Sequence, residues 1–265
     1  MKTTLSPGLM EQTPAKPGLK ILVGTDLIKI YPKTRLPALR NLNISVNEGE
    51  IYGLLGPNGA GKTTAISIMS TTMRPTGGSV FICGIDGLKY PSRVKSLIGL
   101  VPQDIALYPD LTVRENLKFF GGMYGLRGPE LEKRIQESLE LVCLEEKSRQ
   151  RVDTYSGGMK RRANLAVGIL HRPRMLFLDE PTVGIDAQSR NMIMERLLEL
   201  KAFGITMVYT THYMEEAEKI CNRVAIMDEG RIVEQGSPEE LIRETPDCLN
   251  LGEVFLAMTG KQLRD

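Results

Sequence analysis

The chain has no tryptophan, two histidines and four cysteines in 265 residues, and aromatic residues make up only 5%. Cys83, Cys143, Cys221 and Cys248 are widely scattered and form no C-x-x-C pair. That spacing argues against a zinc site or a disulfide framework and predicts packed, reduced thiols in a cytosolic protein. No apolar run approaches the length that spans a bilayer, and the first residues lack the apolar core of a signal peptide. A strong charge of one sign is missing too. The net charge of +2 predicts neither a nucleic-acid surface nor an acidic tail. No internal repeat of about 20–50 residues is present. What remains is ordinary globular material, 42% hydrophobic and 25% charged, enough for one large domain or two small ones.

Against that plain background one stretch stands out, Gly56-Pro57-Asn58-Gly59-Ala60-Gly61-Lys62-Thr63-Thr64. It fits the phosphate-binding pattern G-x-x-x-x-G-K-[ST]. The apolar run Ile51–Leu55 before it predicts a buried strand, and Thr63–Met73 after it predicts a helix. Glycines 56, 59 and 61 let the backbone turn so that its N–H groups form an anion nest at a helix N-terminus. Lys62 then places a cation on the β- and γ-phosphates, and the Thr63 hydroxyl is the expected Mg²⁺ ligand.

The rest of the chain reads as alternating strands and helices. Residues Met1 to Gly18, rich in Pro and Gly, predict a flexible leader. Leu19–Val23 and Asp26–Ile30 are short apolar runs, and the alternation of Leu39–Val46 predicts a half-buried strand, with Lys33 and Arg35 between the last two. Gly77-Gly78 reads as a turn into a strand at Ser79–Ile82, and Leu97–Val101 is another strand. The capping box Thr112-Val113-Arg114-Glu115 starts a helix, and Pro129 opens a second. Asp104 to about His171 therefore reads as a helical insertion in an α/β domain. Strands return at Met175–Leu178, Ile205–Tyr209 and Val224–Met227, with a helix over Ala187–Lys201. Ser237-Pro238-Glu239-Glu240 starts a further helix, and the last one carries Leu251, Val254, Phe255 and Met258 on one stripe.

Two more motifs bear on chemistry. Asp179-Glu180 ends a buried strand, where α/β sheets bind ligands. Asp179 would hold Mg²⁺ through its water shell, and Glu180 would orient or deprotonate an attacking water. Tyr155-Ser156-Gly157-Gly158-Met159-Lys160-Arg161-Arg162 predicts a helix capped by Ser156, with uncovered N–H groups that form a second anion site.

With these motifs in order, the sequence resembles the nucleotide-binding subunit of ATP-binding cassette (ABC) transporters. The likeness covers about Leu19 to Gly236: phosphate loop, Gln103, Tyr155–Met159, Met175–Glu180, Gly184-Ile185-Asp186, then His212. It most resembles the ATPases of drug-resistance and lipid exporters, whose membrane part is a separate chain. The resemblance implies an α/β fold: a P-loop NTPase of ABC type, a RecA-like core with an antiparallel β subdomain and an inserted helical subdomain. The nucleotide-binding domain would span 19–240, with a C-terminal helical extension at 241–265. By the same resemblance Tyr31 stacks on adenine. Gln103 reaches Mg²⁺ and the attacking water, and also senses the membrane partner. His212 contacts the γ-phosphate, and Asp186 lies in the loop that crosses between two subunits. The implied cofactors are ATP and Mg²⁺. The implied partners are a second copy of the chain, whose Ser156, Gly157 and Gly158 would cover this chain's phosphate loop, and a transmembrane permease. No nucleic acid is expected.

The implied place is the cytoplasmic side of a membrane, peripheral through the permease. The substrate class implied is a drug, lipid or other amphiphile; the alternative is a soluble ABC ATPase acting on a macromolecular complex. The sequence departs from the common family pattern at Tyr155, Met159 and Ile185. Met159 offers no strong hydrogen bond. Lys160-Arg161-Arg162 with Arg149 and Arg151 reads as a solvated basic face. Phe119, Phe120, Met123 and Tyr124 read first as helix core; under the resemblance, part of that region is a groove for a short helix of the membrane subunit.

Overall fold

The computed structural model describes residues 18–32 and 36–260. The predicted leader up to residue 17, Lys33 and Arg35, and the last five residues of the C-terminal extension lie outside the described residues. The chain runs β1 (Lys20–Lys29), β2 (Leu39–Asn47), β3 (Ile51–Leu55), α1 (Lys62–Met69), β4 (Gly77–Ile82), β5 (Ile85–Asp86), α2 (Pro91–Lys95) and β6 (Ile98–Val101). Helices α3 (Val113–Met123), α4 (Gly128–Leu141) and α5 (Gly157–Ile169) follow. Then come β7 (Met175–Asp179), α6 (Ala187–Ala202), β8 (Thr206–Thr211), α7 (Met214–Ile220), β9 (Arg223–Asp228), β10 (Arg231–Gly236), α8 (Pro238–Glu244) and α9 (Leu251–Thr259).

Two sheets form. One is antiparallel, in the order β2-β1-β4-β5. The other has the order β10-β9-β3-β8-β7-β6; it is parallel except for β10, which returns antiparallel along β9. The uniform apolarity of the parallel strands has a simple cause: both faces are covered. In β7, Leu176 and Leu178 join the cluster beneath α5 and α6, while Met175 and Phe177 join the cluster shared with α1 and the antiparallel sheet. Leu251, Val254 and Phe255 of α9 pack into the first of these cores.

Several local expectations are corrected. The two short apolar runs near the start fall in one strand, β1. It is broken by a bulge where Asp26 takes φ +48° and the register with β2 shifts between Gly24 and Leu27. Gly77 and Gly78 begin β4 and do not form a turn before it. Phe119, Met123 and Tyr124 are not core: they are 46%, 70% and 41% exposed. The core face of α3 is carried by Val113, Asn116, Leu117 and Gly121. Both expected capping boxes are present, at Thr112–Glu115 and Ser237–Glu240.

Helix α5 lies against β6 almost backbone to backbone. A Cβ on Gly99 would stand 2.1 Å from the Gly168 carbonyl oxygen, and one on Gly168 would stand 2.6 Å from Val101 Cγ2. Just past α5, His171 stacks flat on Tyr124, with ring centroids 3.7 Å apart. Its Nε2 is 2.8 Å from the Ile98 carbonyl, so Nε2 carries the proton. Nδ1 is buried with no hydrogen-bond partner among the described residues. Burial pulls the His171 pKa down from 6.5 to about 4.

Two outcomes follow. Gly99→Ala has no space for its methyl group and should cost about 2 kcal/mol, read as a lower urea midpoint; an unchanged midpoint would refute the close approach. Between pH 6.5 and about 4 the unfolded chain binds more protons at His171 than the folded one. Stability should therefore fall as pH drops through that window, by about 3 kcal/mol from this group. His171→Gln should flatten the dependence in thermal melts across that range.

Candidate nucleotide site

The site begins where β3 ends. The chain leaves Leu55, turns through residues 56–61 and enters α1 at Lys62. Gly61 takes φ +105°, and a Cβ there would stand 2.6 Å from the Ala38 carbonyl, so only glycine fits. Gly56 and Ala60 are buried, Pro57 is half-buried, and Asn58 and Gly59 lie exposed at the rim. Lys62 is 5% exposed and folds back over the loop. Its ammonium donates to the Gly56 carbonyl at 2.7 Å and the Pro57 carbonyl at 3.3 Å. Thr63 is exposed beside it. The hydroxyls of Thr64 and Tyr31 share a hydrogen bond at 3.1 Å, and the Tyr31 hydroxyl also reaches Met73 Sδ at 3.5 Å. The tyrosine ring thus stands against the loop, with Lys29 Nζ 5.4 Å from its centroid.

The acidic pair faces the loop from the end of β7. Asp179 is 3% and Glu180 7% exposed. Glu180 Oε1 lies 3.2 Å from Lys62 Nζ, and Oε2 lies 3.1 Å from His212 Nδ1. One carboxylate therefore joins the phosphate loop to the residue after β8. Its backbone is strained: Glu180 takes φ +46° ahead of Pro181, a region that costs a non-glycine residue about 1–3 kcal/mol. Thr210 of β8 holds it there. The Glu180 N–H donates to Thr210 Oγ1 at 3.0 Å, and that hydroxyl donates to Asp179 Oδ1 at 2.7 Å.

Burial raises the Asp179 carboxyl above its ordinary range, against the opposing hydrogen bonds of Thr210 and Thr63. Asp179 and Thr63 together offer hard oxygens side by side. That donor set suits Mg²⁺ when substrate phosphates fill its other positions. Among the described residues no cluster of three or more His, Cys, Asp or Glu could hold a metal.

The remaining expected residues are spread out. Gln103 is exposed, and its backbone carbonyl accepts a hydrogen bond from Arg161. Ser156 caps α5, accepting from the Met159 N–H at 3.3 Å; Ser156 and Gly157 are exposed and Gly158 is buried. Among the described residues, these three make no hydrogen bond to residues 56–64. Asp186 is spent as the cap of α6, accepting from the Ser189 N–H at 2.9 Å and the Ser189 hydroxyl at 2.7 Å. Those bonds hold its carboxyl below the usual range.

Residues unmarked in the sequence organise these parts. Arg161 and Arg162 are not a solvated face. Both are half-buried, and Arg162 donates to the Val142 and Cys143 carbonyls at the end of α4. Arg161 bridges the Gln103 carbonyl and the Val183 carbonyl. One turn on, Asn164 donates to the Pro102 carbonyl at 3.2 Å and accepts from the Ala106 N–H at 3.3 Å. In the sequence Arg161 and Arg162 read only as part of a basic run, and Asn164 has no signal beyond helical spacing from Ser156. Thr210 carried no signal beyond its place near the end of an apolar strand.

Known proteins place this geometry. A family profile described as ABC transporter matches residues 39–183. The linearmycin resistance ATP-binding protein LnrL of Bacillus subtilis (strain 168) is 45% identical over 232 residues, 88% of this chain and 72% of LnrL. The doxorubicin resistance ATP-binding protein DrrA of Mycobacterium tuberculosis is 39% identical over 237 residues, 89% of this chain and 70% of DrrA. Among solved structures, the ATP-binding subunit of an ABC transporter matches with TM-score 0.81 and 29% identity, covering 90% of this chain and 99% of that one. A dimeric ATP-binding cassette in a post-hydrolysis state with ADP and Pi matches with TM-score 0.75 and 28% identity, covering 82% and 98%. Loop, acidic pair, capped α5 and matched relatives agree: the chain belongs to the ABC transporter family, as an ATP-binding subunit with ATPase activity.

Proposed function

We propose that this chain powers export of a drug, lipid or similar amphiphile by hydrolysing ATP between two copies of itself beneath a separate membrane subunit. The observation that carries the reading is the Glu180 carboxylate held between Lys62 and His212 at 3.2 and 3.1 Å. Phosphoryl transfer to water needs charge neutralisation and an aligned nucleophile. Lys62 and the loop amides supply the first. Glu180 supplies the second: the attacking water gives its proton to the carboxylate as its oxygen bonds to the γ-phosphorus. The bond from that phosphorus to the β–γ bridging oxygen breaks, leaving ADP and phosphate. His212 orients the carboxylate through Nδ1 and faces the γ-phosphate. Bound Mg²⁺ would add charge neutralisation at the phosphates; Asp179 and Thr63 would hold it, with Gln103 reaching in. Tyr31 would stack on adenine.

Pairing is supported by two features. Among the described residues Ser156, Gly157 and Gly158 make no hydrogen bond to residues 56–64, yet Ser156 and Gly157 stand exposed at the start of α5. A cassette of the same fold is a dimer with ADP and Pi. In a head-to-tail pair each signature would cover the partner's triphosphate, with Asp186 at the seam. ATP would then favour the closed pair because it touches both halves only there. Export is supported by the resistance proteins LnrL and DrrA and by the Nod factor export ATP-binding protein I of Cupriavidus pinatubonensis, 41% identical over 210 residues. Among the described residues no helix is long and apolar enough to cross a membrane; in this reading a separate membrane subunit supplies the pore. Its docking place would be the groove lined by Ser92, Lys95, Ile98, Phe120, Met123 and Tyr124, beside the exposed Phe119. That seats the chain on the cytoplasmic face.

Glu180→Gln should lower kcat by about 100-fold or more and accumulate an ATP-bound dimer on gel filtration. Turnover at the parental rate would refute the assigned role. Replacing Phe119 and Phe120 together with Ala should abolish the response of ATPase to the membrane subunit while nucleotide affinity stays unchanged. Lost nucleotide binding would speak against the docking groove.

A further inference from the structure

Glu216, on α7, is a buried charge that the chemistry above does not use. It is 3% exposed. Three hydroxyls converge on its Oε2: Tyr209 at 2.6 Å, Thr182 at 2.9 Å and Thr211 at 3.0 Å. An ionised carboxylate only accepts, so each hydroxyl spends its single proton there. The other oxygen, Oε1, makes an ion pair at 3.3 Å with Arg190 Nε. The Arg190 guanidinium lies over the Tyr213 ring, 4.7 Å from its centroid.

The addresses of these partners matter. Thr182 lies two residues after Glu180, in the turn that leaves β7. Thr211 ends β8 and immediately precedes His212, and its hydroxyl also accepts the Tyr213 N–H at 2.9 Å. Arg190 sits one turn into α6, next to the Ser189 that bonds Asp186. One buried carboxylate thus ties together the backbones that carry Glu180, His212 and Asp186.

We propose that Glu216 is a positioning residue that holds the Glu180 turn and the His212 strand end in mutual register, and links both to helix α6 through Arg190. This rests on the reading of Glu180 and His212 given above. A buried charge with hydroxyl donors tolerates small displacements poorly, because each donor left unpaired loses its acceptor outright. Misplacing the general base by a fraction of its hydrogen-bond length acts on the chemical step, while Lys62 keeps its bonds to the Gly56 and Pro57 carbonyls.

The test is steady-state Mg-ATP turnover of the full chain. Glu216→Gln keeps the shape and removes the charge. Thr182→Val removes one hydroxyl and serves should the first variant fold poorly. Each should lower kcat roughly 10- to 100-fold, with KM for ATP and the thermal midpoint near those of the parent. The double variant should lose little beyond Glu216→Gln alone, since the groups act as one unit. Parental kcat in either well-folded variant, losses that multiply in the double variant, or a kcat loss matched by a lowered melting point would each overturn the proposal. Glu180→Gln is run in parallel. If it turns over at the parental rate, the site reading falls and takes this inference with it. If it is inactive while Glu216→Gln is parental, only this inference falls.

Discussion

The structure is organised around one buried contact, the Lys62 ammonium against the Glu180 carboxylate at 3.2 Å. Two opposite charges at that depth are costly to desolvate unless each is otherwise satisfied. Lys62 is satisfied by the Gly56 and Pro57 carbonyls, which the loop can present only because Gly61 bends back at the head of α1. Glu180 is satisfied by His212, and its strained backbone is fixed by Thr210. The contact also demands that β3 and β7 lie on either side of β8, which is the sheet order seen. Strand order, loop and strained turn together bring one cation and one anion within 3.2 Å of each other.

Much of this was legible because the signals were local. Ile51–Leu55 and Met175–Leu178 are runs of apolar residues, and both faces of that sheet are covered. The helix starts at Thr112 and Ser237 follow from capping boxes, in which side chain and backbone three residues apart satisfy each other. The phosphate loop is written in its glycines. What was not legible depends on partners remote in sequence. Thr182, Tyr209, Thr210 and Thr211 look like ordinary strand and turn residues. They become a network only when β7, β8 and α7 meet. Arg161 reads as part of a charge run until the Gln103 and Val183 carbonyls are set beside it. Helix α7 and strand β10 escaped notice for a different reason. The first is only seven residues long, so its buried face of Met214, Ala217 and Ile220 spans too few turns to stand out, and the second is largely exposed and shows no buried face. The aromatic group on α3 misled in the opposite sense: Phe119, Met123 and Tyr124 are apolar at near-helical spacing yet face outward.

Outward aromatics and an exposed signature lie on one mechanical unit. Helix α5 carries Ser156 at its tip and is pressed onto β6 through Gly99 and Gly168, with no side chain to act as a cushion. Along the same helix Arg161 and Asn164 grip the Gln103 loop at Pro102, Gln103 and Ala106. Tyr124, at the end of α3, stacks on His171 just past the other end of α5. A push at the groove beside α3 thus has a short path, through packed rings and one straight helix, to the residues that would meet the partner's nucleotide. Packed elements of this kind have discrete arrangements and do not deform continuously. Met159, an apolar residue at the first turn of α5, cannot add a strong polar contact across the pair. Under the proposed pairing, recognition of the opposing phosphate would fall on Ser156 and the exposed Gly157, whose placement is set by the same helix that holds the Gln103 loop. In this chain a single rigid element both carries the exposed Ser156 and holds the Gln103 loop.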